Sequence, residues 1–188
     1  HRSKNVNDEI LNNNLGVSKP RPAEMPEKLI EIKLLCVDVD GILTDGGIYY
    51  TDEGTSFRRF NAKDGLGLVR LMKFGVEVAI ISGGRAGAIE HRAERLGIRY
   101  VFTDVSDKLS VLKNLAGDLG IKMDAVAHIG DDINDLALMR VAGVSIAAAD
   151  AVDEVLSYVD MVTKNSGGHG AVRELCDAIY AAQGGEPA

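Results

Sequence analysis

Several features that define particular protein classes are missing from this chain of 188 residues. It has two cysteines, Cys36 in an apolar run and Cys176 on an expected helix, which is too few for a disulfide framework or a zinc site. The apolar stretches fall well short of a membrane span, and the N-terminus lacks the charged-then-apolar pattern of an export signal. We therefore expect a cytoplasmic protein with two buried thiols.

Clusters of basic residues are missing as well. The net charge is -7 and no run is rich in Lys or Arg, so neither nucleic acid nor an anionic membrane is an expected partner. Hydrophobic residues make up 46% and charged residues 26%, which is an ordinary globular balance. The length fits one domain with its own core. An acidic protein that binds phosphate has to gather cations locally or bind a metal.

The ends of the chain differ in composition from its middle. We expect a flexible arm at residues 1–28 and a flexible tail at residues 184–188, around one domain at residues 29–183. Within that domain, apolar runs alternate with helical patterns, which predicts βαβ units and a parallel sheet. The expected strands are 32–39, 76–81, 100–102, 125–129, 144–146 and 161–162, and the expected helices are 66–74, 86–96, 109–119, 135–141, 152–156 and 171–182. A turn signal between residues 48–50 and 56–60 predicts a β-hairpin.

Two carboxylates follow the first expected strand, at the edge of the sheet where ligands bind. Asp38 and Asp40 stand at i and i+2 on an extended segment and therefore point to the same side. Such a pair needs a cation or a shared proton, which suits a nucleophile beside a proton donor. A solvated Asp/Gly turn is the alternative. An EF-hand is excluded, because Gly41 comes too early and Tyr49 stands where a glutamate is required.

Polar residues follow three more strands. Ser82 and Gly83 lead into a helix, where backbone N–H groups and the helix dipole bind anions, although such a sequence also serves as a simple loop and N-cap. Lys108 begins a helix, where a positive charge opposes the macrodipole. This unfavourable position favours a functional role for Lys108, and an exposed lysine is the alternative. Three carboxylates follow residues 125–129 and form either a Mg²⁺ site or an acidic helix start: Asp131, Asp132 and Asp135.

These four signals follow different buried strands, and a parallel sheet would bring them into one crevice. Together they supply a nucleophile, a proton donor, a metal cage, a hydroxyl and a lysine. This is the inventory for phosphoryl transfer, in which positioning and charge neutralisation dominate. Walker and dinucleotide-binding loops are absent, since the required lysine and third glycine are missing.

The order of the motifs resembles the haloacid dehalogenase superfamily. The four motifs correspond to Asp38-Val39-Asp40-Gly41-Ile42-Leu43-Thr44, Ile81-Ser82-Gly83, Ser106-Asp107-Lys108 and Gly130-Asp131-Asp132 with Asp135. The resemblance implies an α/β, Rossmann-like fold with a parallel sheet flanked by helices, a protruding hairpin and no cap domain. More narrowly, residues 32–180 resemble the capless subfamily of 3-deoxy-D-manno-octulosonate 8-phosphate (KDO 8-phosphate) phosphatases of lipopolysaccharide sugar synthesis, through residues 40–46, 60–65 and 167–174.

The resemblance implies roles for individual residues. Asp38 would attack phosphorus and form an aspartyl-phosphate, and Asp40 would protonate the leaving sugar oxygen and then activate water. Mg²⁺ would be bound by Asp38, by the backbone carbonyl of Asp40 and by Asp131, with Asp132 and Asp135 in support. Ser82 and Lys108 would hold the phosphoryl oxygens. The implied substrate contacts are Asn61, Ala62, Lys63, Asp64, Gly65, Gly83, Arg85 and Arg92. Members are homotetramers in which the hairpin, here residues 47–60, and a neighbour's C-terminal tail help to close the site.

Three positions depart from the subfamily pattern. Gly84, Val69 and His169 stand where arginines are usual. Arginine binds a carboxylate through two parallel hydrogen bonds, which histidine does not reproduce. A phosphatase for a nine-carbon sialic-acid-type 9-phosphate (KDN or N-acetylneuraminate) therefore remains an alternative, and a non-catalytic assembly module is a second one. A dehalogenase does not need the acidic metal cage, and a phosphomutase usually needs a cap.

Overall fold

The structure is a computed structural model that describes the backbone of residues 25–186 and the side chains of residues 27–186. Residues 1–24 of the expected arm and the last two residues of the expected tail lie outside the described residues. Helix α1 (Met25–Ile30) runs across the expected boundary between residues 28 and 29, and Leu29 is buried in the core.

A parallel sheet of six strands forms the centre of the molecule: β1 (Leu34–Val37), β4 (Glu77–Ile81), β5 (Tyr100–Phe102), β6 (Val126–Gly130), β7 (Val144–Ala147) and β8 (Met161–Val162). Their order across the sheet is β5-β4-β1-β6-β7-β8. Its strands all run in the same direction, which confirms the expected α/β, Rossmann-like architecture. The chain moves outward from β1 on one side and then crosses to β6 on the other, so a topological switch point lies at the ends of these two strands.

Helices cover both faces of this sheet. The helices after α1 are α2 (Ala62–Phe74), α3 (Ala86–Leu96), α4 (Lys108–Asp118), α5 (Leu136–Met139), α6 (Asp153–Tyr158) and α7 (Ala171–Ala182). Helices α1, α2, α3 and α7 pack on one face of β1, and α4 and α5 pack on the other. Because both faces of β1 are covered, each of its four residues is buried, as its continuous apolar sequence predicts. Within residues 25–186, no helix has the length and apolar character needed to cross a membrane.

Three of the expected elements differ from those observed. The first strand ends at Val37, because the chain leaves the sheet and forms a π-helical turn at Val39–Leu43, closed by the Thr44 N–H donating to the Val39 carbonyl at 3.0 Å. Helix α2 begins at Ala62 rather than residue 66, because the Asn61 side chain accepts hydrogen bonds from two N–H groups of its first turn. The expected helix 135–141 is a 3₁₀ turn (Ile133–Asp135) followed by the short α5.

The predicted hairpin is present between β1 and α2, and the described residues contain no separate cap domain. Its strands are β2 (Tyr49–Tyr50) and β3 (Ser56–Phe57), shorter than expected. The rings of Tyr49 and Phe57 stack across the pair with centroids 5.3 Å apart. An isolated bridge between Thr44 and Phe60 attaches the base of the hairpin to the π-helical turn. The hairpin therefore stands beside the residues that follow β1.

Candidate active site

A cleft of about 410 Å³ opens at the carboxyl ends of β1, β4 and β6. We call it the catalytic cleft. The sheet topology brings together the residues that follow these strands with the start of α4, as the sequence predicts. Its lining consists of Asp38, Asp40, Ser82, Gly83, Gly84, Lys108, Asp131, Asp132 and Asn134.

Lys108 and two carboxylates form a buried ion-pair network on one wall of the cleft. The Lys108 Nζ donates hydrogen bonds to Asp38 Oδ1 at 2.8 Å and to Asp135 Oδ1 at 2.9 Å. The three side chains are between 0% and 7% exposed, so water screens the charges weakly. Lysine is unfavourable at the first position of α4, and these two carboxylates supply the compensating charge. The pair with Asp38 connects two of the predicted catalytic residues.

Burial and mutual repulsion shift the ionisation of these carboxylates. Burial, with repulsion from Asp135, raises the pKa of Asp38 to about 6 even though Lys108 acts in the opposite direction. Burial and the neighbouring carboxylates raise the pKa of Asp131 to about 7. Burial also opposes ionisation of Asp135, but His128 and Lys108 lower its pKa to about 2. The cleft thus contains more negative charge than Lys108 compensates.

His128 is a buried member of this network that the sequence analysis missed. It lies on β6 and is fully buried, with its Nε2 3.3 Å from Asp135 Oδ1. Neither ring nitrogen has a well-oriented hydrogen bond, so the contact is mainly electrostatic. Burial disfavours the imidazolium, but Cys36 and Asp135 raise the pKa of His128 above its usual value. The sequence contains one signal that could have identified His128, namely a histidine inside an otherwise apolar strand.

The acidic cluster fits a divalent cation. One oxygen from each of Asp38, Asp131 and Asp135 lies within 4.8 Å of the others, although Asp135 already accepts from Lys108. Gly41 has φ +88°, and a Cβ on it would overlap the Asp131 carboxylate, so this position needs glycine both for its conformation and for the close approach. Carboxylate oxygens are the ligands that Mg²⁺ prefers. A cation would relieve the mutual repulsion that, after burial, raises the pKa values of Asp38 and Asp131.

Asp40 lies at the mouth of the catalytic cleft and has a partner that the sequence did not predict. The Arg58 Nε donates to Asp40 Oδ1 at 2.8 Å, and its Nη2 lies 3.4 Å from Oδ2. The Asp40 side chain is 50% exposed, in contrast to the buried Asp38. Asp38 and Asp40 line one cleft, as expected, but have different surroundings. No local pattern identifies Arg58, because it follows a strand of the hairpin rather than of the main sheet.

The loop after β4 forms the opposite wall. Ser82 is buried, and its Oγ accepts a hydrogen bond from the Gly84 N–H at 3.0 Å. Gly83 is exposed to the cleft, whereas Arg85 lines a second cavity of about 530 Å³ between the loop and the hairpin, which we call the hairpin cleft. Asp40 borders both clefts.

Asp132 and Asn134 extend the acidic segment after β6. The Asp132 carboxylate accepts from the Ile133 N–H at 2.7 Å and thereby caps the following 3₁₀ turn, while it also lines the catalytic cleft. Asn134 lines the same cleft, although the sequence analysis did not single it out.

Six of the implied substrate contacts lie outside both clefts of the single chain: Asn61, Ala62, Lys63, Asp64, Gly65 and Arg92. Several have structural partners, since the Arg92 Nη2 donates to the Asn61 carbonyl at 3.2 Å and Asp64 Oδ1 accepts from the Arg173 N–H at 2.8 Å. Asn61 and Asp64 therefore attach the start of α2 to the loop before α7 and to α7 itself. Their substrate role stays a prediction.

Comparisons with known proteins agree with the geometry. A family model for haloacid dehalogenase-like hydrolases matches residues 97–175. The 3-deoxy-D-manno-octulosonate 8-phosphate phosphatase of Escherichia coli K12 is 41% identical over 165 residues, 88% of each chain.

Two solved structures of such phosphatases have TM-scores of 0.84 and 41% identity to this chain. The Yersinia pestis protein aligns over 85% of this chain and 86% of its own. The Moraxella catarrhalis protein aligns over 87% and 94%, and it was solved in complex with a magnesium ion, a phosphate ion and KDO. With relatives of this identity matched over most of its length, the chain belongs to the haloacid dehalogenase-like hydrolases.

Proposed function

We propose that this chain is a Mg²⁺-dependent phosphoric monoester hydrolase that converts KDO 8-phosphate to KDO and phosphate, a step of lipopolysaccharide sugar synthesis. The observation that carries the proposal is the Asp38 carboxylate, which is buried at a strand end, held by Lys108 and surrounded by an acidic cluster. Relatives named for this activity match most of the chain, which supports the choice of substrate.

Asp38 is the proposed nucleophile. Lys108 holds its Oδ1, and Oδ2 is the oxygen that this ammonium does not engage. Attack of the carboxylate on phosphorus forms the Asp38–phosphate bond while the bond between phosphorus and the sugar oxygen breaks. Lys108, Ser82 and Gly83 line the catalytic cleft, and their ammonium, hydroxyl and backbone N–H groups would receive the phosphoryl oxygens.

Asp40 is the proposed general acid and base. As the sugar oxygen leaves, protonated Asp40 donates a proton to it, and the resulting carboxylate then accepts a proton from the water that hydrolyses the aspartyl-phosphate. Its half-exposed position at the mouth of the cleft suits both steps, because the sugar departs and water enters there.

Mg²⁺ would be held by Asp38, Asp131 and the backbone carbonyl of Asp40, with Asp132 and Asp135 in support. When bound, the ion offsets the repulsion between a carboxylate nucleophile and a phosphate monoester. Asp135 supports the site through Lys108, which it holds against Asp38.

A nine-carbon sialic-acid-type 9-phosphate (KDN or N-acetylneuraminate) is the second candidate substrate. The observation that favours it is the set of departures at Gly84, Val69 and His169, which remove arginines that usually serve the sugar acid. Val69 borders a separate cavity on the α2–α7 surface, and His169 is exposed on the loop before α7.

We also propose that the protein is a cytoplasmic homotetramer that assembles through its hairpins. Ile48, Tyr50 and Phe57 are 77%, 66% and 51% exposed in the single chain, which is unusual for apolar side chains so close together. An isolated two-stranded hairpin is marginally stable, so packing against copies of itself would stabilise it. The described cysteines, Cys36 and Cys176, are both buried free thiols, which fits a reducing compartment.

A phosphate-release panel with Mg²⁺ tests the proposed function. It compares KDO 8-phosphate, a nine-carbon ulosonate 9-phosphate and glucose 6-phosphate, with the Asp38→Asn variant and an EDTA arm as controls. We expect the highest kcat/KM with KDO 8-phosphate and none with the variant or with EDTA. Faster hydrolysis of the nine-carbon substrate would select the second candidate, and no release from any ester would favour the non-catalytic module.

A further inference from the structure

We propose that Arg58 is a positioning residue that orients the Asp40 carboxylate for proton transfer to the leaving sugar oxygen. The inference rests on the proposed function and deepens it. It assigns a role to a hairpin residue that lies outside the four motifs at the strand ends.

The contact between Arg58 and Asp40 is asymmetric. The Nε–Oδ1 distance of 2.8 Å is that of a strong charge-assisted hydrogen bond, whereas the Nη2–Oδ2 distance of 3.4 Å is at the limit of one. Arg58 therefore fixes Oδ1 and leaves Oδ2 as the oxygen that can carry a proton. During transfer the Oδ2–H proton passes to the sugar oxygen as the bond between phosphorus and that oxygen breaks, and Oδ1 keeps its partner.

Asp40 Oδ2, which Arg58 holds only by the longer contact, also faces the loop after β4. A Cβ on Gly84 would lie 2.9 Å from Asp40 Oδ2, 2.8 Å from Arg58 Nη2 and 3.2 Å from Ser82 Oγ. Oδ2 therefore points toward the loop that is proposed to bind the phosphoryl group. The same distances show that Arg58 occupies space next to Gly84, where the subfamily pattern usually has an arginine. In this chain the hairpin supplies a guanidinium to this part of the cleft.

The hairpin holds Arg58 in place. Its side chain is 19% exposed, and the preceding Phe57 stacks on Tyr49 at the base of the hairpin. The Thr44–Phe60 bridge attaches the exit of the hairpin to the turn after β1, whereas the following Arg59 donates to the Gly168 carbonyl at 3.1 Å rather than to Asp40. Asp40, in contrast, is half exposed and lies in an irregular turn, so without Arg58 its carboxylate can rotate toward water. A carboxylate of Asp40 that is no longer oriented transfers its proton to the sugar oxygen more slowly.

The leaving group distinguishes positioning of a general acid from a general loss of structure. Departure of a sugar alkoxide requires a proton, whereas p-nitrophenolate leaves without one. The value of kcat/KM reports only the steps up to the first irreversible one, so it excludes the later hydrolysis of the aspartyl-phosphate. For Arg58→Leu we expect kcat/KM to fall about 10- to 100-fold with KDO 8-phosphate, within the range that general acids contribute. With p-nitrophenyl phosphate we expect a fall of about 3-fold or less, since general acid assistance is not required.

Two further variants complete the experiment. Arg58→Lys keeps one charged donor and is expected to lose less activity with KDO 8-phosphate than Arg58→Leu. Arg59→Leu is the matched control, because it removes the neighbouring arginine of the same hairpin without touching Asp40, and any loss should be equal for the two substrates. Thermal unfolding checks that each variant folds. We expect that they do, because the Arg58–Asp40 pair is partly exposed and such pairs contribute little to stability.

The inference is overturned if Arg58→Leu lowers kcat/KM equally for the two leaving groups, or if Arg59→Leu shows the same selective loss. Failure of the proposed function is seen separately, in the wild-type protein, as no preference for an ulosonate phosphate. In that case the Arg58 variants are compared with p-nitrophenyl phosphate and with the sugar phosphate that the wild-type protein hydrolyses fastest. A wild-type protein that hydrolyses no sugar phosphate overturns both proposals.

Discussion

Replacement of Lys108 by Met tests whether the buried ammonium neutralises the carboxylates of Asp38 and Asp135. Methionine retains much of the side-chain length but removes the Nζ, which lies 2.8 Å from Asp38 Oδ1 and 2.9 Å from Asp135 Oδ1. The variant leaves two almost fully buried carboxylates without the cation that they share. His128 stays 3.3 Å from Asp135 Oδ1, so Asp38 is the carboxylate that loses its cationic partner.

The expected loss of stability follows from these distances and exposures. Two unit charges about 4 Å apart attract by about 4 kcal/mol at an effective dielectric constant of about 20, before desolvation is subtracted. Removing one partner of a buried pair typically costs about 3–5 kcal/mol. We expect a loss in this range at pH 7.5, which is a large part of the about 5–15 kcal/mol that stabilises a typical domain.

The assay is urea unfolding in EDTA, so that no bound cation replaces the missing charge. Lys113→Met is the matched control, because Lys113 is exposed on the same helix α4, and a change within about 0.5 kcal/mol is expected for it. With Mg²⁺ present, phosphate release by Lys108→Met should fall about 10²- to 10³-fold, as for loss of one preorganised electrostatic contact.

Dependence on pH separates loss of charge from loss of packing. Without Lys108, the pKa of Asp38 should rise further above its present value of about 6. Protonation then relieves the repulsion, so the stability deficit of Lys108→Met should shrink between pH 8 and pH 5.5. A deficit below about 1 kcal/mol at pH 7.5, or one that does not change with pH, would refute the electrostatic reasoning.

Three further outcomes follow from the geometry. In EDTA the wild-type protein should lose stability as the pH rises from about 4 to about 7. The reason is that the raised pKa values of Asp38 and Asp131 make the folded state bind more protons than the unfolded state. Adding Mg²⁺ at pH 7.5 should raise the melting temperature again. Gly41→Ala should weaken Mg²⁺ binding at least about 10-fold by calorimetry, because the added Cβ overlaps the Asp131 carboxylate at a positive φ; unchanged affinity would contradict the observed packing. The double variant Tyr50→Ser/Phe57→Ser should shift the mass measured by light scattering from tetramer toward monomer, and an unchanged mass would place the contact elsewhere.

Much of the fold could be predicted from local patterns. Helices 86–96 and 171–182 and strands 100–102 and 161–162 have the expected boundaries, because apolar periodicity and terminal glycines act within a few residues. The boundaries that failed depend on single interactions. The Asn61 side chain extends α2 backward, and the π-helical turn after β1 shortens the first strand.

The catalytic cleft was largely predictable for a topological reason. Parallel strands end at the same edge of the sheet, so Asp38, Ser82 and Asp131 are brought together once β1, β4 and β6 are recognised as neighbours. Substrate contacts were less predictable. Several of those that the resemblance implied, such as Arg92, have structural partners in the single chain and lie outside both clefts.

The sequence by itself determined the α/β architecture, through the alternation of strand and helix patterns, and the four strand-end motifs with the acidic character of the proposed metal site, which lie in a few consecutive residues each. Only the tertiary structure decided which side chains hold the reactive groups. His128 contacts Asp135 because strand β6 and the 3₁₀ turn fold back on each other, and Arg58 reaches Asp40 because the hairpin packs against the turn that follows β1. Such contacts depend on distances between separate elements, which no local pattern contains.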